Sequence, residues 1–128
     1  MKNKIVLIVI SLFLLCFGAK AQAPLPPDAT ASPTAFSLYE GEMKEVVICF
    51  TPVSGFSLKD LIFTIEANNE GVEVTEGIFD NNTKHLTVKG LKPGRYEIVV
   101  TIVGFQQDKR TGWSFFFTME LKLSVIVI

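Results

Sequence analysis

Few residues of this 128-residue chain could do chemistry. His85 is the single histidine. It stands on the polar side of "KHLTVKG", where a strand residue is simply solvated. Zinc would require several His or Cys ligands, and Cys49 is the other candidate in the body of the chain. Glu70, Glu73, Glu76 and Asp80 cluster in sequence around Asn68, Asn69, Asn81 and Asn82. Calcium uses such oxygen donors, but the Asp-x-Asp-x-Asp spacing is missing, so these read as turn residues and a solvated strand face. A Gly-rich phosphate loop, a nucleophile elbow and a dinucleotide fingerprint are all lacking. Converging acid, base and nucleophile groups are therefore not expected, and neither is an enzyme, a metal or a cofactor.

The other residue type that carries function here is aromatic. Phe105, Trp113 and Phe116 fall near the end of one hairpin, and Phe56 lies in the "TPVSGFS" turn. Aromatic rings displayed at loop ends stack on sugars or grip proteins. Trp113 also suits an edge cap on the core. Cys49 sits in the apolar run "EVVICF" and reads as a small buried hydrophobe with a free thiol.

The N-terminus sets the compartment in which these residues would work. Lys2 and Lys4 precede an apolar stretch over residues 5–18, and "AKA" at 19–21 offers the small-x-small pattern of signal-peptidase cleavage. Cleavage after Ala23 obeys the same rule but puts Pro24 beside the scissile bond. Leu15 precedes Cys16, where lipidation wants a small residue. A spanning helix wants about 20 apolar residues, more than this run supplies. Residues 1–21 are thus expected to be a signal peptide, with the product exported to the periplasm, the cell surface or the medium. Three of twelve basic residues would leave and none of the thirteen acids, so nine basic residues face thirteen acidic ones, a net charge of −4. That balance argues against nucleic acid and anionic membrane as partners. Losing Cys16 leaves Cys49 alone, with no internal disulfide.

Residues 22–33, "QAPLPPDATASP", hold four of the six prolines and read as an extended, mobile leader. From residue 34 the chain reads as strands separated by turn chemistry. "TAFSLYE", "KEVVICF", "DLIFTIEA", "GVEVTEG", "KHLTVKG" and "GRYEIVVTIVG" are of strand length, with Gly, Pro and Asn between them. The closing "WSFFFTMELKLSVIVI" carries apolar residues at every odd position from Trp113 to Val127, and Glu120 and Lys122 on the even face. Period two and midway charges make it a long strand with one buried face, so no membrane span is expected after processing. Most runs are too short to cross a bilayer as barrel strands. About seven strands over residues 34–128 predict one all-β domain, an antiparallel β-sandwich.

With the strands placed, "FSLYEGEMKEVVICFTPVSG", "VEVTEG", "LTVKGLKPGRYEIVVTI" and "LKLSVIV" resemble the bacterial immunoglobulin-like domains of exported and surface proteins. The resemblance covers about residues 34–128 and implies an immunoglobulin-like sandwich. It also implies a tyrosine corner, with Tyr96 near the start of strand F turning its hydroxyl back to the preceding backbone. Ile98 then stands where antibody domains carry their second cysteine, opposite Cys49 in strand B. The segment "GFQQDKRTGWSFFF" departs from the family's shorter hairpins, with a connection expected over 104–112.

The function these readings imply is a non-catalytic module binding an unidentified protein or carbohydrate at the cell envelope. The alternative is a structural subunit that forms a homodimer by edge pairing of its last strand, where "SVIVI" carries little charge to prevent it. Phe116, Ile126 and Ile128 lie on the wrong face for a solvated strand, and with Phe105 and Trp113 they form the candidate interaction surface.

Overall fold

The computed structural model describes residues 24–67 and 70–128; the expected signal peptide lies outside the described residues. Eight strands run in order: β1 (Asp28–Ser32), β2 (Ala35–Leu38), β3 (Met43–Thr51), β4 (Phe56–Ala67), β5 (Val72–Asp80), β6 (Thr83–Gly90), β7 (Gly94–Asp108) and β8 (Ser114–Val127). They form two four-stranded sheets, ordered β1-β3-β6-β5 and β2-β8-β7-β4. All pairings are antiparallel except β2 with β8. The sheets do not close on one another, so the architecture is a sandwich and not a barrel.

The alternation in the sequence becomes the interior directly. Val46, Ile48, Leu86, Val88, Ile98, Val100, Ile102 and Leu123 have no exposed surface, and Leu38, Val125 and Val127 are nearly as well covered. Each such side chain contributes about 1.5–3 kcal/mol on leaving water. Turn chemistry is equally direct at Asn81 and Asn82, whose φ values of 51° and 57° make the two-residue type I′ link between β5 and β6.

Two boundaries differ from the sequence reading. The stretch 22–33, taken as a mobile leader, contains β1, which pairs with β3 from Asp28↔Thr51 to Ser32↔Val47. Its side chains are small, so it lacks the bulky alternation that announces a strand, yet Ala29 and Ala31 pack against the core. Prolines before and after it are tolerated because it is an edge strand. At the other end, the connection expected over 104–112 is strand as far as Asp108. Gly104 is not a turn residue: the Leu61 side chain fills the place where its Cβ would stand. The β7–β8 hairpin therefore keeps an unbroken register from Gly94↔Val127 to Gln107↔Ser114.

Candidate functional site

The outer face of the β2-β8-β7-β4 sheet carries several exposed apolar residues on regular strands. Rows across it follow from register. Ile62 of β4 aligns with Val103 of β7 and Thr118 of β8, and the next row is Lys59, Phe105 and Phe116. Phe105 and Phe116 meet edge to face, with ring centroids 5.8 Å apart. Even so, Phe116 remains 61% exposed and Ile62 64% exposed. Further along lie Thr64, Thr101 and Glu120, then Glu66, Val99 and Lys122, so the apolar patch has a polar border on that side. Beneath it, on the inner face, Phe115 packs on Phe56 at 6.1 Å.

This patch adjoins an open sheet edge. β2 covers β8 only from Ser124 to Val127. There the amides of Ser124 and Ile128 donate to the carbonyls of Thr34 and Leu38, so the even-numbered residues of β8 face β2. The carbonyl of Trp113 accepts from the Asp108 amide, so the odd-numbered ones face β7. Backbone groups alternate along a strand. Ser114, Phe116, Thr118, Glu120 and Lys122 thus turn their N–H and C=O toward the side of β8 that, among the described residues, no strand of this sheet covers.

The five candidate residues do not form one surface. Phe105 and Phe116 meet near the hairpin end, and the 44%-exposed Trp113 precedes β8 at the tip. Ile126 lies ten residues along β8 from Phe116 and Ile128 just past the end of the strand, roughly 33 and 40 Å away at strand rise. They remain partly exposed, but their backbone is engaged by β2. "SVIVI" is therefore not the open edge; residues 114–122 are. The phase of the pleat was legible, but which half of β8 would be covered depends on where the short β2 docks.

Cys49 corrects a sequence expectation. It is exposed, on the outer face of β3 between Thr30 and Thr83. Val46, Ile48 and Phe50 are the inward residues instead. In an uninterrupted apolar run, alternation has no phase to read, and a one-residue shift exchanges the faces. Ile98 is fully buried, so its partner across the core belongs to the Ile48 side of β3. Tyr96 is 8% exposed, and its hydroxyl lies 2.7 Å from the Lys92 carbonyl and 3.0 Å from that of Pro93.

The polar candidates disperse. His85 Nδ1 lies 2.7 Å from Glu45 Oε1 in a half-exposed pair on the outer face of β6 and β3. Glu76 turns to Lys84 at 3.3 Å. Among the described residues, no three His, Cys, Asp or Glu side chains converge on a metal-sized site. Two buried polar residues had no signal of their own. Lys84 points inward, donates to the Gly77 carbonyl at 2.9 Å and lies 4.7 Å from the centre of the Phe63 ring. Gln106 is 1% exposed; its Oε1 accepts from the Val53 amide and its Nε2 donates to the Leu25 carbonyl.

Comparison with known proteins agrees at the level of fold. No protein-family model matches the sequence, and no curated protein does. Among solved structures, the S-layer protein rSbsC(31-844) superposes with a TM-score of 0.57 at 16% identity, over 82% of this chain and 13% of that one. Domains 4 and 5 of the S-layer protein SbsC give 0.54 at 16% identity, over 82% and 53%. The BIgI domain of beta protein from S. agalactiae bound to CEACAM1 matches more loosely, at 0.37 and 16% identity, over 79% and 95%. This chain thus spans a small part of the one S-layer chain and about half of the other. The sheet order defines an immunoglobulin-like β-sandwich, and the two S-layer likenesses agree with that fold. Among the described residues, no helix is long and apolar enough to cross a membrane.

Proposed function

We propose that this protein is a non-catalytic immunoglobulin-like module that binds a partner at the cell envelope through the outer face of the β2-β8-β7-β4 sheet. The observation that carries this is the position of Phe116. It is a large exposed ring on an ordered strand, supported by Phe105 and flanked by Val103 and Ile62. Such a rigid aromatic with a polar border is the composition of a binding hot spot. The signal-like N-terminus supports export, and the likeness to S-layer domains supports a place at the cell surface. Trp113 at the hairpin tip would widen the surface toward a carbohydrate or a second protein loop.

The test is binding of the labelled full chain to intact cells, isolated envelope and a glycan array, with Phe116→Ala, Ile62→Ala and Trp113→Ala variants. Saturable binding is expected, weakened roughly tenfold or more by Phe116→Ala. Absence of saturable binding, or binding indifferent to both Phe116 and Ile62, would overturn the reading.

A further inference from the structure

Among the described residues, the outermost strands of both sheets are short or bulged. β1 is five residues long and β2 is four. β4 has a register shift between Lys59 and Ile62, with Asp60 at φ 54°. β5 has another between Glu76 and Phe79, around Gly77. Short edges and bulges are the devices that stop sheets from adding strands. The open stretch of β8, residues 114–122, has neither: its register is unbroken and it holds no proline or glycine.

A second observation marks the same stretch as unfinished. Under β2, the inward residues Leu123, Val125 and Val127 are at most 2% exposed. On the open part, Phe117 is buried, but Phe115, Met119 and Leu121, with the same orientation, are only half-buried. A neighbouring strand is missing along this stretch among the described residues, and one added there would lie beside these three side chains.

We infer that the missing neighbour is β8 of a second copy of this chain, paired antiparallel about Thr118. In that register Ser114 stands opposite Lys122, Phe116 opposite Glu120, and Thr118 opposite its own copy. All five even-numbered residues then exchange backbone hydrogen bonds. On the inner face Phe115 meets Leu121 and Phe117 meets Met119, so every contact is apolar. On the outer face no charge stands directly opposite a like charge, the arrangement that destabilises cross-strand pairs. A two-fold axis satisfies this self-complementarity at both ends at once. The two sandwiches would share one continuous eight-stranded sheet, and the Ile62–Phe105–Phe116 patches would lie on the same face of it. This rests on the module reading above and gives it a bivalent form.

Thr118 is exposed and its amide faces the open edge, so it can be changed without touching the interior. The full chain, Thr118→Lys, Thr118→Glu and Thr118→Pro are compared by size-exclusion chromatography with light scattering. The wild type is expected at twice the mass of one copy. Each variant is expected to dissociate at least a hundredfold more readily, and an equimolar mixture of Thr118→Lys with Thr118→Glu should restore the dimer. A circular dichroism spectrum that matches the wild type, with a cooperative melt, excludes misfolding as the cause. A monomeric wild type would overturn the pairing, as would a dimer indifferent to all three changes or a mixture that stays monomeric. So would a monomer whose envelope binding is lost in Thr118→Pro, the mark of a strand supplied by another protein. Saturable binding by a monomer, still weakened by Ile62→Ala, would sink the pairing but leave the module reading. A dimer whose binding ignores Ile62 and Phe116 would do the reverse.

Discussion

The ring of Tyr96 occupies the space in which Gly71 would carry a Cβ, with Cζ and Oη pressed against the glycine. The two residues hold one corner from opposite sides. The Gly71 carbonyl accepts the amides of Leu91 and Lys92 at 2.8 and 3.1 Å, and the Tyr96 hydroxyl reaches the carbonyls of Lys92 and Pro93. Gly71→Ala is expected to cost about 1–3 kcal/mol by overpacking. Tyr96→Phe should cost about 1 kcal/mol, because the ring stays and only the hydroxyl bonds go. In a Tyr96→Ala background the Gly71→Ala penalty should shrink, since the obstruction is gone. Urea unfolding of the wild type and the four variants checks this; additive penalties would show that the contact does not matter.

Gln106 makes a second prediction because its amide reaches both the segment before β1 and the loop after β3. Gln106→Leu keeps the volume but leaves the Val53 amide and the Leu25 carbonyl without their partner. An orphaned backbone group costs about 1–3 kcal/mol when water cannot replace the bond. Leu25 is largely exposed, so its carbonyl recovers a partner from solvent. The expected loss is therefore about 2 kcal/mol, arising mostly at Val53. Hydrogen exchange should show the Val53 amide opening faster while the β6 and β7 amides keep their protection. Uniform acceleration would instead mean that Gln106 supports the whole sandwich.

Strand content was legible wherever one face alternated with the other. Leu61, Phe63 and Ile65 of β4, Leu86 and Val88 of β6, and Tyr96 to Ile102 of β7 all turned inward as their spacing implies. Legibility failed where period two carried no phase or no bulk. "EVVICF" is apolar on both faces, so only pairing with β1 and β6 decides that Ile48 is inside and Cys49 outside. "DATAS" is too small to stand out, and its strand exists because β3 offers it an edge. Lys84 and Gln106 escaped for the opposite reason. A polar type at an inward position reads as surface until its partners are known, and Gly77, Glu76, Val53 and Leu25 are partners that only the tertiary fold supplies. The aromatic half of the candidate surface could be read from Phe116 on the polar face. Its open edge could not, because that depends on β2 being four residues long and docking at residues 124–127.

The outward position of Cys49 predicts ready modification of the native protein. A maleimide added without denaturant should label Cys49 to completion, at a rate within about tenfold of that in the unfolded chain. Cys49→Ser should change stability by no more than about 0.5 kcal/mol, as expected for a surface site. Labelling that required denaturant, or a serine variant that lost 2 kcal/mol or so, would put the thiol back inside.

The turn at the hairpin tip should respond to acid through Asp108. Its carboxylate accepts the Arg110 amide at 2.8 Å, with the Thr111 amide at 3.5 Å and the Arg110 guanidinium at 3.9 Å. The Arg110 amide bond is the chief cause holding the acid below its ordinary value of 3.8, with the Thr111 amide and the Arg110 charge adding to it. A carboxyl depressed on folding stabilises the folded turn fully above the unfolded value, and that contribution is lost as pH falls through the folded value. The Arg110 and Thr111 amides should therefore hold their chemical shifts and exchange protection at neutral pH and lose them with a midpoint below 3.8. Asp108→Asn should flatten the profile, because its amide oxygen accepts at every pH. Global stability should hardly follow, since Arg110 is solvated and an exposed ion pair contributes little. A midpoint at or above 3.8, or an unchanged profile in Asp108→Asn, would show that the acid response of the tip has another origin.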